Sequence, residues 1–251
     1  MKISNHCYAI TGLAAETPWV VNSGFIVGDH TTLIVDTGSN YLSAQTIHGY
    51  VNSVNPNNAL IVVNTEPHFD HIGGNCYFSD KGIDIYAHAG LQRSSEDFEN
   101  NKHDLNDTIV NPVRRAAREA DAFFLKTKMA NPNIAIAEGY QFDLGSVVIQ
   151  VIETPGHTPC NLSLYLKSDQ VLFTGDCIVG SYLPNLEIGK EKDWNAWLHS
   201  LDKIEALNPL AIMPGHGDIV TGRSQIKIEL ARTRKILKTA IQEAKAPTAM
   251  I

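Results

Sequence analysis

Four side chains that can bind a metal ion stand within six consecutive positions of the chain, namely Glu66, His68, Asp70 and His71. They follow the apolar run 59–63, which is typical of a buried strand, so the cluster lies where a strand ends and a loop begins. Active-site residues favour such loops because a rigid scaffold positions them. The cluster therefore predicts a metal site, against the alternative of a polar surface turn.

The spacing of the four residues indicates two neighbouring metal positions. Alternate residues of an extended segment point the same way, so Glu66 and His68 share one face. Asp70 and His71 are consecutive and can reach a second point only if the chain turns, for which Gly73–Gly74 gives the backbone freedom. Imidazole and carboxylate ligands without a thiolate suit zinc, iron or manganese.

Three further candidate ligands each lie in a glycine-containing turn after an apolar run: His157, Asp176 and His216. A single residue of this kind is usually an ordinary turn residue. The recurrence of the same arrangement along the chain strengthens the hypothesis of a metal site.

With these motifs the sequence resembles the metallo-β-lactamase superfamily over nearly its whole length. The pattern of that family is His-x-His-x-Asp-His, followed in order by Gly-His, Gly-Asp and Gly-His. The resemblance implies a first metal bound by Glu66, His68 and His157, a second bound by Asp70, His71 and His216, and Asp176 as the bridge between them.

The departure from the family pattern is Glu66, which stands where most members have the first histidine. A carboxylate adds negative charge to the first site, so bound water is less acidified and harder metals compete better. We expect two zinc ions. A single zinc, iron or manganese ion is the alternative, and an empty first site would make the protein mononuclear.

The resemblance implies metal-assisted hydrolysis, in which a metal-activated water attacks the carbonyl carbon of a lactone, a thioester, an ester or a β-lactam amide. In that mechanism Asp70 orients the nucleophile and passes a proton to the leaving group. The alternative is a mononuclear iron oxidoreductase similar to the persulfide dioxygenases, which share the fold. Glu66, His68 and His157 would then form a site of two histidines and one carboxylate.

Composition limits the partners. The 251 residues are 43% hydrophobic and 19% charged, which is typical of a globular chain with one sizeable core. A net charge of −7 without a long basic run disfavours nucleic acid, so we expect a small-molecule substrate. The chain has no apolar run of membrane-spanning length and opens without an apolar signal. We therefore expect no membrane partner and a cytoplasmic location, or a periplasmic one if an export signal has been removed.

The elements that must position these residues are predicted from apolar periodicity. Strands are expected within 20–35, at 59–63, at 83–87 and in pairs at 140–153 and 161–173, and helices at 41–54, 113–128, 192–207 and 223–244. A run of strands followed by helices occurs twice along the chain. This repetition suggests two packed sheets with helices outside. The resemblance implies the same α/β class, a four-layer αββα sandwich with the metal cleft at one edge.

We expect a single domain over 1–251, with a polar, helical insertion at about 90–135. This insertion either covers the cleft or forms a solvated outer layer. Tyr182 and Leu183 follow Asp176 closely and are candidate substrate contacts. Asp36 ends a strand near the same sheet edge and is a candidate to support the metal ligands.

Overall fold

The protein folds into two β-sheets packed face to face, with helices on both outer faces. This arrangement is seen in a computed structural model, which describes residues 1–13, 20–107, 109–187 and 189–247. The expected four-layer αββα sandwich is confirmed.

The first sheet has six strands that follow chain order. They are β1 (Cys7–Leu13), β2 (Val21–Val27), β3 (Thr31–Val35), β4 (Ala59–Val63), β5 (Ile85–His88) and β6 (Ile134–Ile136). The first three strands pair antiparallel, and the pairs from β3 to β6 are parallel. Because β3, β4, β5 and β6 run the same way, their carboxyl ends meet at one edge of the sheet.

The second sheet also has six strands, in the order β12-β11-β10-β9-β8-β7. They are β7 (Gln141–Asp143), β8 (Val148–Glu153), β9 (Leu162–Leu166), β10 (Val171–Gly180), β11 (Ala211–Gly217) and β12 (Val220–Thr221). Strands β10 and β11 pair in parallel, and the other pairs are antiparallel.

Eight helices lie in the described part of the chain. They are α1 (Tyr41–Val54), α2 (Phe69–Ile72), α3 (Asn75–Ser79), α4 (Ser95–Asp107), α5 (Pro112–Ala116), α6 (Glu119–Phe123), α7 (Glu191–Leu207) and α8 (Arg223–Glu243). None of these helices is both long enough and apolar enough to cross a lipid bilayer.

Alternating side chains along each strand fill separate core layers, because successive residues point to opposite faces. In β3, Leu33 joins the core between the sheets, whereas Ile34 packs toward α1. In β10, Phe173 faces the first sheet and Leu172 packs with α7 and α8. Both sheets are therefore buried on their two faces, which fits their largely continuous apolar sequences.

The expected helix at 113–128 is wrong as a single element. The structure has two short helices there, α5 and α6, and Arg118 between them has a positive φ of 52° that ends the regular helix. Most other expected elements are confirmed within one to three residues, and α1 and β4 have the expected limits, but β10 continues to Gly180, seven residues beyond the expected end at 173. Strand β1 was not anticipated, because its sequence has no long apolar run.

Candidate metal centre

The seven candidate ligands come together at one edge of the sandwich, and both sheets supply them. Glu66 follows β4, and His157 follows β8. The expectation that Asp176 and His216 lie in turns is wrong, since Asp176 lies within β10 and His216 within β11. The site is therefore assembled only when the two sheets are packed together.

A one-turn helix, α2, positions the adjacent ligands Asp70 and His71. His68 directly precedes this helix in an extended conformation, so the chain turns between His68 and Asp70, as expected. The expectation that Gly73–Gly74 supplies unusual backbone freedom is wrong, since both residues have ordinary right-handed dihedral angles. A side chain at Gly73 would instead overlap the carbonyl oxygen of Ser39, so close packing requires the glycine.

The first group of donor atoms joins Glu66, His68, His157 and Asp176. The Nδ1 atom of His68 lies 2.8 Å from Glu66 Oε1 and 3.1 Å from His157 Nε2. His157 Nε2 in turn lies 3.3 Å from Asp176 Oδ2. Glu66 is fully buried, whereas the His68 side chain is 27% exposed, so the site opens toward solvent on the His68 side.

The second group joins Asp70, His71 and His216. His216 Nε2 lies 3.1 Å from Asp70 Oδ2 and 3.3 Å from Asp176 Oδ2. His71 Nε2 lies 3.3 Å from Asp176 Oδ1. Asp176 thus contacts members of both groups and lies between them.

Several of these converging donor atoms make no hydrogen bond within the protein. Both carboxylate oxygens of Glu66, Nε2 of His71 and Oδ1 of Asp176 are buried without a hydrogen-bond partner. Buried polar groups are normally paired, so unpaired atoms require a functional explanation. Two atoms that bind one tetrahedral ion at about 2.0–2.1 Å lie about 3.3–3.4 Å apart, which is the spacing found repeatedly here. The donor set fits divalent metal ions.

Asp36 supports the ligand His71 from behind. Its Oδ2 lies 2.9 Å from His71 Nδ1, and its oxygens also accept hydrogen bonds from Thr65 N at 2.8 Å and Thr65 Oγ1 at 2.7 Å. Asp36 has a φ of 61°, a conformation that Asp and Asn tolerate better than other non-glycine residues. A carboxylate in this position fixes the ring orientation and tautomer of a metal-binding histidine.

A buried amide pair that sequence reasoning missed holds the backbone around the ligands. Asn64 and Asn75 exchange side-chain hydrogen bonds at 2.8 and 3.1 Å. The carbonyl oxygen of His71 accepts from Thr37 N at 2.9 Å and Thr37 Oγ1 at 3.1 Å, and Asn75 donates to Ala130 O at 3.1 Å. The available signal was that two asparagines flank an apolar strand and a metal motif, where buried amides need partners.

The ionisation of the site reflects its crowded charges. Burial favours the neutral form of each group, but the facing carboxylates, led by Asp176, raise the pKa values of His71 and His216 well above normal. For the same reason the histidines, despite burial, lower the pKa of Asp176 well below normal and that of Asp70 to about 2. Metal binding must therefore displace protons from the histidines.

The candidate substrate contacts Tyr182 and Leu183 are partly exposed. Tyr182 is 49% exposed and Leu183 is 40% exposed. The Tyr182 ring lies against the residue after His216, since a Cβ built at Gly217 would stand 3.0 Å from Tyr182 Cδ2. The structure therefore places Tyr182 beside the second group.

Helices α4, α5 and α6 lie between β5 and β6 in the chain, and α4 and the residue after α6 pack against the metal motif. Phe69, which stands between His68 and Asp70, contacts Phe98 of α4 at a ring-centroid distance of 4.6 Å and Phe124 at 5.2 Å. This region is therefore joined to the site through an aromatic cluster rather than standing apart from it.

Comparison with known proteins agrees with this geometry. The sequence model of the metallo-beta-lactamase superfamily matches residues 17–216. The beta-lactamase-like protein 2 homolog of Caenorhabditis elegans is 26% identical over 215 residues, 82% of this chain and 60% of that protein. Acyl-coenzyme A thioesterase MBLAC2 of Homo sapiens is 27% identical over 159 residues, 62% of this chain and 56% of that protein. The chain thus spans less than two thirds of either relative.

The fold also resembles solved structures. A metallo-beta-lactamase from Pontibacter korlensis superposes with a TM-score of 0.68 at 18% identity, over 95% of this chain and 97% of that chain. At this level of identity the likeness concerns the fold alone.

Proposed function

Because this chain belongs to the metallo-β-lactamase superfamily, we propose that it is a dinuclear metallohydrolase that cleaves a carbonyl-type bond with a metal-activated water. The observation that carries the proposal is the pair of donor groups joined by Asp176, with buried donor atoms that have no protein partner. In this proposal the first ion is bound by Glu66, His68 and His157, the second by Asp70, His71 and His216, and Asp176 binds both.

Zinc is the proposed metal, since imidazole and carboxylate donors at tetrahedral spacing suit it. Glu66 makes the first group richer in negative charge than three histidines would, so iron and manganese compete better here than at the usual site. Metal analysis of gently purified protein decides between them.

Divalent ions bound here would lower the pKa of a water molecule and polarise the substrate carbonyl. The protein's own residues then orient the reaction. Asp70 is 5% exposed and lies 3.1 Å from His216 Nε2, so its carboxylate is fixed at the mouth of the second group. From there it orients the nucleophile, accepts its proton and passes that proton to the leaving group.

We propose an acyl thioester as the substrate class. One relative is named an acyl-coenzyme A thioesterase. A thiolate is a good leaving group because its conjugate acid has a pKa of about 8.5, so cleavage needs no acid beyond Asp70. The helical region also exposes large apolar side chains that suit an acyl chain, with Val110 76%, Val113 75% and Leu125 81% exposed. Tyr182, beside Gly217, and Leu183 are the further proposed substrate contacts.

A mononuclear iron oxygenase is the second candidate, and one observation favours it. Within the first group, which also contains Asp176, Glu66, His68 and His157 supply two histidines and one carboxylate, the usual donor set of non-haem iron oxygenases. The second group of Asp70, His71 and His216 also occurs in oxygenases of this kind, but as a complete second donor set it argues for two metal ions. The dinuclear hydrolase therefore accounts for more of the site.

The test is a hydrolysis assay with zinc-loaded protein on acyl-coenzyme A thioesters, lactones and a β-lactam, following the release of free thiol or ring opening. We expect thioester turnover, and a loss of at least 100-fold in kcat/KM for Asp70→Asn. Asp169→Asn is the matched control, because Asp169 also pairs with a histidine, at 3.0 Å from His6, but lies outside the site. Turnover that survives in Asp70→Asn, or iron with oxygen uptake on a persulfide, would contradict the proposal.

A further inference from the structure

Glu66, like Asp176, lies against histidines of both donor groups. One oxygen of Asp176 lies 3.3 Å from His71 Nε2 and the other 3.3 Å from His157 Nε2. One oxygen of Glu66 lies 3.3 Å from His71 Nε2 and the other 3.6 Å from His157 Nε2. Each carboxylate therefore contacts both groups, although its oxygens are not divided cleanly between them. Glu66 Oε1 also lies 2.8 Å from His68 Nδ1 of the first group, and Asp176 Oδ2 also lies 3.3 Å from His216 Nε2 of the second.

We propose that Glu66 bridges the two metal positions, as Asp176 does, so that two carboxylates each bind both ions. This inference rests on the proposed dinuclear function. The distance between Glu66 Oε1 and His71 Nε2 matches the spacing of about 3.3–3.4 Å for two ligands of one tetrahedral ion. Glu66 is thus placed to bind the ion of the second group as well as that of the first.

A histidine in the same position could not do this. A neutral imidazole offers a single acceptor nitrogen and binds one ion, whereas a carboxylate offers two oxygens. Glutamate in place of histidine at position 66 therefore changes the charge of the site and also the number of ions that the side chain can contact.

Burial supports the same conclusion. Glu66 is 0% exposed, and neither of its oxygens has a hydrogen-bond partner. In the described part of the chain its ion-pair contacts are all to histidines, at His68, His71 and His157. A buried carboxylate is strongly unfavourable unless it is paired or binds a metal, and the three histidines that face Glu66 are themselves candidate metal ligands. Bonds to two ions satisfy both oxygens.

A double bridge couples the two ions energetically. The first ion to bind orients Glu66 and Asp176. Binding of the second ion therefore costs less side-chain conformational entropy. We expect the two ions to bind together rather than one after the other.

The test isolates the second position and asks whether Glu66 contributes to it. His68→Ala/His157→Ala removes two ligands of the first group and leaves one site for Co²⁺. In that background we compare Glu66 with Glu66→Gln, measuring the Co²⁺ dissociation constant by chelator competition and the visible absorption spectrum. A bridge predicts weaker binding by at least tenfold together with a changed spectrum.

Weaker binding with an unchanged spectrum would identify an effect of charge alone and overturn the bridge, as would no change in either. Glu229→Gln is the matched control, since Glu229 is a largely buried glutamate paired with Arg232 outside the site. Circular dichroism verifies that each variant is folded.

A second variant, Glu66→His in the otherwise intact chain, restores the family pattern and keeps the first position. With one equivalent of zinc, native mass spectrometry should show mostly metal-free and two-zinc protein for the natural chain, but one-zinc protein for Glu66→His. One-zinc species in both would overturn the proposal. Because no substrate is involved, coupled loading without hydrolysis would refute only the proposed function.

Discussion

Replacement of Asp36 by asparagine tests how strongly the second layer of the site supports a metal ligand. Asparagine has nearly the same shape and tolerates the φ of 61°, so the backbone is retained. The substitution removes the negative charge that lies 2.9 Å from His71 Nδ1 and leaves one oxygen for the two donors of Thr65.

The size of the effect follows from the lost contact. A hydrogen bond to a charged group contributes about 1.5–3 kcal/mol, which corresponds to roughly 10- to 150-fold in affinity. Support of metal-binding histidines by a carboxylate usually changes metal affinity by about 10- to 100-fold. We therefore expect Asp36→Asn to weaken binding of the ion at His71 by about 10- to 100-fold.

The metal-free fold should be affected much less. Burial raises the pKa of Asp36 despite the lowering effect of His71, which means that the charged carboxylate is costly to bury there. A neutral amide avoids this cost. The loss of metal affinity should accordingly exceed the loss of unfolding free energy in metal-free protein.

The assay is competition for zinc against a chromophoric chelator, together with urea unfolding of the metal-free protein. Asp169→Asn is the control for the same chemical change beside a histidine elsewhere, and it should leave zinc affinity unchanged. A folded Asp36→Asn protein with zinc affinity within about threefold of the natural chain would refute this account of the role of Asp36, because the expected loss is at least tenfold.

Three further changes have defined outcomes. Asp169→Asn should lower the unfolding free energy by about 1 kcal/mol at pH 7. Hydrogen bonds from Ser4 and His6, acting against burial, lower the pKa of Asp169 from 3.8 to about 2, so the difference should vanish as the pH falls through that range. Gly215→Ala should prevent loading of two ions, because its Cβ would overlap Asp176 Oδ1. Gly49→Ala, with no atom near its Cβ inside α1, should raise the unfolding free energy by about 1 kcal/mol and keep metal binding.

Each of these expectations has an opposing result. A stability difference for Asp169→Asn that persists unchanged to pH 2 would show that the carboxylate charge is not its source. Elemental analysis that finds two ions in Gly215→Ala would mean that the backbone moves enough to accept the methyl group. Urea unfolding at lower denaturant concentration for Gly49→Ala would show that the helix is not regular at that position.

The layered architecture was predictable because its strands and helices carry clear apolar periods. Helix α1 begins after Asn40, whose side chain accepts from Ser43 N, and its limits match the expected ones. The region around Arg118 was not predictable, because a left-handed residue in a polar segment has no periodic signal. Residue type and spacing singled out the seven side chains that the structure brings together, and their role as metal ligands stays a prediction.

The supporting contacts were harder to predict because they join distant parts of the chain. Nothing in local sequence pairs Asn64 with Asn75 or directs Asn75 toward Ala130. The role of Gly73 was misjudged for a similar reason. Its conformation is ordinary, and only the approach of Ser39 in three dimensions requires a glycine there.

The division of the ligands between the two sheets sets an order of events in biosynthesis. His216 follows Glu66 by 150 residues, so the two candidate ligands are synthesised far apart in time. Closure of so long a loop is unfavourable until the apolar faces of the sheets have docked. A metal ion can therefore bind and stabilise the site only after the sheets have docked. It cannot direct the folding of the nascent chain. Cells short of the metal would accumulate folded, metal-free protein that can bind metal ions later without refolding.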